Sequence, residues 1–289
     1  MFCSEITICI PVFERYNYFE EIIYCVLNQT YQCRILVIDN ASSHSKFYNY
    51  IKNLKNENIK YFRNVENIGM TNNWNKCIEL CETEYCTILH DDDLLAPRFI
   101  EFMVNQISQN TNAIAFSCSV CIGNSLNENS YSYLDNDVPK LVDRTLLLSS
   151  NLTPFPGVVF NKNKSRELKG FKEQYYPVDD MDFWYRLTTI GKVFKYQSIL
   201  AFYRLSESQN SRSVVQNAID KSYFFRKEIC IGFKELFIIQ SATLKLKNFY
   251  SHSYPGVKFK LPFSILLFNI NKNIMTVLSK LKKIIIKQQ

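Results

Sequence analysis

Three consecutive aspartates, Asp91-Asp92-Asp93, follow the apolar run Tyr85-Cys86-Thr87-Ile88-Leu89 and precede Pro97. Adjacent carboxylates resist ionising together, so a fold that keeps three of them at a strand end needs a cation to relieve the repulsion. Hard oxygen donors of this kind suit Mg²⁺ or Mn²⁺, which bind through one or two carboxylates and complete their shells with substrate phosphates. The competing reading is a solvated acidic turn capping a helix that Pro97 opens. A second acidic group, Asp179-Asp180-Met181-Asp182, stands ahead of a helical stripe of Phe183, Leu187 and Ile190. Read locally, these are first-turn acids favoured by the helix dipole, with Arg186 placed to pair with Asp182 at i+4.

The elements that must position these groups can be read from the spacing of apolar residues. Ile6-Thr7-Ile8-Cys9-Ile10 predicts a buried strand stopped by Pro11. Phe19, Ile22, Ile23, Val26 and Leu27 recur at helical spacing, and Ile35-Leu36-Val37-Ile38 predicts a second strand ending at Asp39. Ile59 to Phe62 predicts a third strand, Trp74, Cys77, Ile78 and Cys81 a helix, and Tyr85 to Leu89 a fourth strand. Ile100, Met103, Val104 and Ile107 then mark a helix behind Pro97. Alternating β and α signals with near-continuous apolar strands imply an α/β fold, a mostly parallel sheet with helices on both faces. Such sheets bind ligands at the carboxyl ends of their strands. Glu14, Asp39, Asn64 to Asn67 and the aspartate triplet all fall at those ends. The second half is less regular: residues 123–140 are rich in Asn, Ser, Asp and Tyr and predict an excursion or flexible loop, and Val193–Phe202 predicts a further strand.

Composition narrows the class. The 289 residues are 47% hydrophobic and 21% charged, a globular balance for one large domain with or without an appendage. The N-terminus, Met1-Phe2-Cys3-Ser4-Glu5, lacks the basic region of a signal peptide, and no apolar run approaches the length of a bilayer span. A cytoplasmic protein is therefore expected. Most of the ten cysteines lie within apolar patterns and are expected to be reduced core thiols, while Cys118-Ser119-Val120-Cys121 is a lone CxxC without a second pair.

Seven segments, in order over residues 6–211, resemble the motifs of family 2 glycosyltransferases, the inverting class with the GT-A fold. They are Ile10-Pro11-Val12-Phe13-Glu14-Arg15, Val26-Leu27-Asn28-Gln29-Thr30-Tyr31, Val37-Ile38-Asp39-Asn40-Ala41-Ser42-Ser43, and Asn67-Ile68-Gly69 with Asn73-Trp74-Asn75. The series continues with the Asp91–Asp93 segment, then Asp179 to Leu187, then Tyr203-Arg204-Leu205-Ser206 running to Ser211.

The resemblance implies transfer of a sugar from a nucleotide-sugar donor, UDP- or dTDP-linked, to a glycan or polyprenyl-linked acceptor, with Mn²⁺ or Mg²⁺ as the cofactor. It places the metal on Asp92 and Asp93, and Asp91 near the ribose or a metal-bound water. It makes Pro11, Phe13 and Glu14 the floor of the nucleoside pocket and Asp39 the partner of the base. Asn67 and Arg204 join the donor site, Asp180 becomes the general base, and Asp179 and Trp184 fall on the acceptor or supporting side. Trp74 lies on the apolar stripe of its helix and is expected in the core. Two positions depart from the family's pattern: His90 stands where an Asp often begins the metal motif, and Ser206 stands where a His commonly follows Tyr-Arg.

The expected division is a catalytic domain over 1–213 and a basic helical extension over 214–289. Residues 1–213 carry 21 Lys and Arg against 24 Asp and Glu, whereas residues 214–289 carry 13 against 3. Ile274, Val277, Leu278, Leu281 and Ile285 form a stripe flanked by Lys272, Lys280, Lys282, Lys283 and Lys287. That pattern fits a helix lying on an anionic membrane surface, at the inner face of the cytoplasmic membrane, and equally a helix packed on the domain with its lysines in water. Nucleic-acid binding is not expected, because positive charge is confined to this tail and no recognition motif occurs. The Asn-, Lys- and Ile-rich composition points to an AT-rich bacterial genome and, by family analogy, to surface-polysaccharide assembly. The rival readings are a decayed transferase acting as a sugar-binding scaffold, and a phosphatase of the haloacid-dehalogenase type, which would want its Asp-x-Asp on the first strand.

Overall fold

The computed structural model describes residues 2–127, 130–150, 155–205, 214–231, 233–254 and 260. Nine strands among them form one sheet in the order β3-β2-β1-β4-β8-β6-β9-β5, with β7 paired to β9. The strands are β1 (Phe2–Val12), β2 (Gln32–Asp39), β3 (Ile59–Arg63), β4 (Tyr85–Ile88), β5 (Leu94–Leu95), β6 (Ala113–Gly123), β7 (Lys140–Leu141), β8 (Val158–Asn161) and β9 (Lys192–Arg204). Pairing is parallel through β3, β2, β1 and β4 and again between β6 and β9, while β8 lies antiparallel between β4 and β6.

Helices cover both faces, as the apolar patterns require. On one side α1 (Phe19–Leu27), α2 (Lys46–Leu54) and α4 (Phe99–Gln109) bury Phe19, Phe47 and Phe99 against Ile8 and Ile10 of β1. On the other, α3 (Met70–Leu80) and α7 (Asp179–Ile190) bury Trp74, Phe183 and Trp184 against Cys9 of β1 and Phe160 of β8. Successive strand residues point to opposite faces, so Ile8 and Cys9 belong to different cores. Two short helices, α5 (Arg144–Ser149) and α6 (Lys162–Glu167), fill the second half. Cys118 and Cys121 lie on β6 as free thiols.

Pro11 sits inside a central strand without breaking it. The carbonyl of Cys9 accepts from Leu89 on the β4 side, and that ladder ends there, while Val12 accepts from Asn40 on the β2 side. The missing N–H of Pro11 faces the side where pairing has already stopped. The excursion after β6 is tied down in its described part: Ser132 exchanges backbone hydrogen bonds with Ile199, and Asp137 accepts from the amides of Gln197 and Ser198.

Two further helices follow, α8 (Val215–Glu228) and α9 (Phe233–Ser253). They pack on the sheet domain rather than apart from it: Ala218 and Phe225 bury against Val178 and Met181, and Arg144 pairs with both carboxylate oxygens of Glu235 at 2.7 Å. The basic stripe over 272–289, Ser206 and Ser211 lie outside the described residues. No described helix is long and apolar enough to cross a membrane.

Candidate active site

The carboxyl ends of β1, β2 and β4 and the start of α7 open onto one cavity of about 860 Å³. Pro11, Phe13, Arg15, Asn67, Asp91, Asp92, Asp179 and Asp180 all line it. Residues separated by up to 169 positions in sequence are thus brought to one wall by the parallel strand order, from Pro11 to Asp180.

The triplet is resolved into two roles. Asp91 and Asp92 face the cavity, where Arg15 bridges them; its Nη2 is paired with Asp91 Oδ1, and its Nη1 stands 2.9 Å from Asp92 Oδ2. Burial pushes the Asp91 carboxyl up to about 6, against the lowering effect of Arg15. Asp93 instead turns into the interior, where its Oδ1 accepts the Arg204 amide at 3.0 Å. Its Oδ2 is buried without a hydrogen-bond partner among the described residues, 3.8 Å from His90 Nδ1. Burial, followed by the charge of Asp92, raises its pKa well above the usual carboxylate range.

Arg204 reaches the triplet from behind. Its Nε donates to the Asp92 carbonyl at 2.8 Å, its Nη2 donates to Glu21 at 2.8 Å, and its guanidinium lies 4.4 Å from the ring centre of Tyr18. The arginine therefore holds the backbone of the acidic loop, and Tyr203 beside it lines the cavity.

His90 packs between rings, stacked on Trp74 at 5.2 Å and against Phe155 at 4.5 Å. Burial, then the nearby Arg15 charge, lowers its pKa to about 3, so the ring is neutral and adds no positive charge beside the aspartates. Trp74 is in the core, as its apolar stripe predicts, and one edge also reaches the cavity.

The loops after β1 and β2 are locked together. Glu14 adopts a left-handed backbone, and its carboxylate accepts from Ser43 N and Oγ, which lowers its pKa. Asp39 is fully buried: Ser42 N and Oγ donate to Oδ1, while Tyr61 at 2.6 Å and Arg63 at 3.2 Å donate to Oδ2. The Asx-turn at Asp39 is thus present, and its carboxylate, which is not among the cavity-lining groups, organises the loop. Asn67 accepts from Asn40 and from the Gly69 amide, whose φ of +82° suits only glycine without strain.

At the start of α7, Asp179 accepts from Thr71 Oγ1 at 2.6 Å, and burial raises its pKa to about 7. Asp180, one position on, is partly exposed in the cavity. Asp182 turns away to the two-pronged pair with Arg186. Trp184 is wholly buried among Phe155, Phe160, Phe171 and Phe183, so it supports the floor of the site and does not line it.

Three contributors carry no signal in the sequence pattern. Arg226 of α8, with Lys245 and Tyr250 of α9, lines the cavity beside Asp180. Arg15 is visible as part of the first loop, but its pairing with residues 76 and 77 positions away is not.

Among the described residues, no three metal-ligating side chains converge. Asp91 and Asp92 do fit a Mg²⁺ or Mn²⁺ ion that draws its remaining ligands from phosphates and water, since two carboxylates suffice for such a site.

Comparison with known proteins agrees with this architecture. A protein of Rickettsia felis described as an uncharacterized glycosyltransferase is 26% identical over 219 residues, 74% of this chain; the match spans only 36% of that relative's length. The Staphylococcus aureus TarS fragment crystallised with UDP-GlcNAc superposes with a TM-score of 0.63 at 12% identity, covering 86% of this chain and 73% of that one. The Pyrobaculum calidifontis mannosyltransferase in complex with GDP-Man and Mn²⁺ gives 0.61 at 12% identity, covering 94% and 80%. Residues 7–168, more than half of the sequence, match the family described as Glycosyl transferase family 2, and the chain belongs to that family.

Proposed function

We propose that the protein is an inverting glycosyltransferase that moves a sugar from a nucleotide-sugar donor to an acceptor hydroxyl. The observation that supports this most directly is the shared cavity, which strand-end loops, the adjacent carboxylates of Asp91 and Asp92 and the partly exposed Asp180 all line. Phe13, 41% exposed at the cavity wall, offers an apolar face for a nucleobase, and Pro11 and Asn67 line the same cavity. Asp91 and Asp92 would hold Mn²⁺ or Mg²⁺ against the donor's diphosphate, where a divalent ion supplies Lewis-acid stabilisation of the leaving group.

Asp180 is the general base of this reading. It stands at the N-terminus of α7, where it can accept the acceptor's proton as the hydroxyl attacks the sugar carbon opposite the departing phosphate. Asp179 is a poorer candidate because Thr71 and the surrounding protein enclose it. Arg15 and the clamped Arg204 keep the acidic loop in place while charge develops. The UDP-GlcNAc and GDP-Man bound by the relatives above, with the dTDP-linked donors that the family resemblance implies, make the set to test. A glycan or polyprenyl-linked acceptor and surface-polysaccharide assembly complete the proposal. It includes a peripheral position at the inner membrane face through the basic residues of 214–289.

A thermal-shift screen of UDP, dTDP and GDP with and without Mn²⁺ tests it. Ligands that bind only the folded state stabilise it in proportion to the logarithm of concentration over affinity. A metal-dependent rise with one nucleotide is expected; no rise with any of them would move the reading to a sugar-binding scaffold.

A further inference from the structure

The wall built by α8 and α9 carries a buried cation, Arg226. Arg226 is 3% exposed, yet its Nε has no hydrogen-bond partner among the described residues, and its Nη1 reaches only the Ser222 carbonyl at 3.5 Å. A guanidinium has five N–H donors, and burying it with so few of them engaged is costly unless a ligand meets the rest. The group lines the cavity, near enough to Asp180 for that charge to favour the cation. Lys245 enters the same cavity from the exposed side of α9, and Tyr250, one turn further on, also lies within range of Asp180.

We infer that Arg226, Lys245 and Tyr250 form an oxyanion subsite beside the catalytic aspartate, and that it takes a phosphate or carboxylate group of the acceptor. Arg226 supplies planar paired donors suited to either oxyanion, Lys245 a point charge at the mouth, and Tyr250 a hydroxyl donor. The subsite is built from the two C-terminal helices, whereas Asp91 and Asp92 of the same cavity come from the loop after β4. Assigning the anion to the acceptor rests on the transferase reading, but the anion site itself does not.

The test is titration calorimetry of the full chain in EDTA, without divalent ions, against methyl phosphate and against glucuronate. At least one of the two is expected to bind. Arg226→Gln should weaken that binding by about tenfold or more, the scale of a lost charge-assisted hydrogen bond, with Arg226→Lys intermediate. Lys245→Gln alters an exposed residue, keeps the test valid if Arg226 variants unfold, and should weaken binding roughly threefold. Methyl phosphate alone would name a phosphorylated acceptor, and glucuronate alone an acidic sugar. Failure of the natural sequence to bind either anion, or equal affinity in every folded variant, would overturn the subsite. Nucleotide binding with Mn²⁺ is measured on the same preparations. Its absence with anion binding intact would sink the transferase reading and leave the subsite standing.

Discussion

Arg15 Nη1 stands 2.9 Å from Asp92 Oδ2, and the same guanidinium is paired with Asp91. The loop after β1 therefore provides the positive charge that the acidic loop after β4 needs before any ion or donor arrives. Arg15→Gln should expose that dependence. Removing one partner of a largely buried ion pair leaves carboxylates uncompensated and costs about 3 kcal/mol. Melting temperature should fall by several degrees, and Mn²⁺ should restore more stability to the variant than it adds to the natural protein. An equal Mn²⁺ effect in both would mean the ion does not share the Arg15 position.

Asp180 and Asp179 are adjacent but differently placed, and the difference separates chemistry from support. Asp180→Asn should leave nucleotide binding intact and lower transfer by roughly 10²–10⁴-fold, the scale of a lost general base. Binding and single-turnover transfer measured on one preparation would decide the matter. Weakened nucleotide affinity would put Asp180 on the donor side.

Much of this arrangement is legible in the residues. Strands with near-continuous apolar runs and helices with one apolar stripe dictate a covered, mostly parallel sheet, and the chemistry at the ends of β1, β2 and β4 then has to share an edge. Asp182 and Arg186 meet as their i+4 spacing requires. What spacing cannot reveal is which way a carboxylate turns. Asp92 and Asp93 are indistinguishable as neighbours, yet the Arg204 amide captures one of them from a strand 111 residues away. The same holds for Arg226 and Lys245, which line one cavity only because α8 and α9 fold back on α5 and α7. The buried face of α8 carries Ser222 and Arg226 among its apolar residues, and that of α9 carries Gln240 and Thr243, so neither reads as a clean apolar stripe. Trp184 follows an acidic motif and is expected on the acceptor or supporting side; the aromatic cluster around Phe171 encloses it completely, which fits support alone.

The split of the triplet can be measured directly. Asp92→Asn should weaken Mn²⁺-dependent nucleotide binding, because it removes a carboxylate oxygen from the cavity. Asp93→Asn should leave that dependence largely unchanged, since the amide oxygen can still accept from Arg204 and no buried negative charge remains to be compensated. Nucleotide titrations at several Mn²⁺ concentrations check both. A larger loss in Asp93→Asn than in Asp92→Asn would show that the loop rearranges around the ion.

The basic stripe of 272–289 makes a separate prediction. Deleting those residues should reduce sedimentation with anionic liposomes, since each basic residue near such a surface contributes about 1 kcal/mol. Nucleotide binding should persist in the truncated chain. Unchanged liposome association would favour a stripe packed on the domain.

Asp179 gives the protein a pH signature that does not depend on catalysis. Burial raises its carboxyl to about 7 in the folded chain, whereas an unfolded aspartate titrates near about 3.9. Between those values the folded state holds the extra proton, so the contribution of Asp179 to stability declines as pH rises. The decline begins above the unfolded value, continues through neutrality and levels off once the folded carboxyl has ionised. Asp179→Asn keeps an oxygen for the Thr71 hydroxyl and removes the titration. The melting temperature of the variant, relative to the natural protein, should therefore climb between pH 5 and 7 and stay constant above roughly pH 8. A difference that does not change with pH would mean that Asp179 ionises as an ordinary solvent-facing carboxylate, and the enclosure that distinguishes it from Asp180 would have to be abandoned.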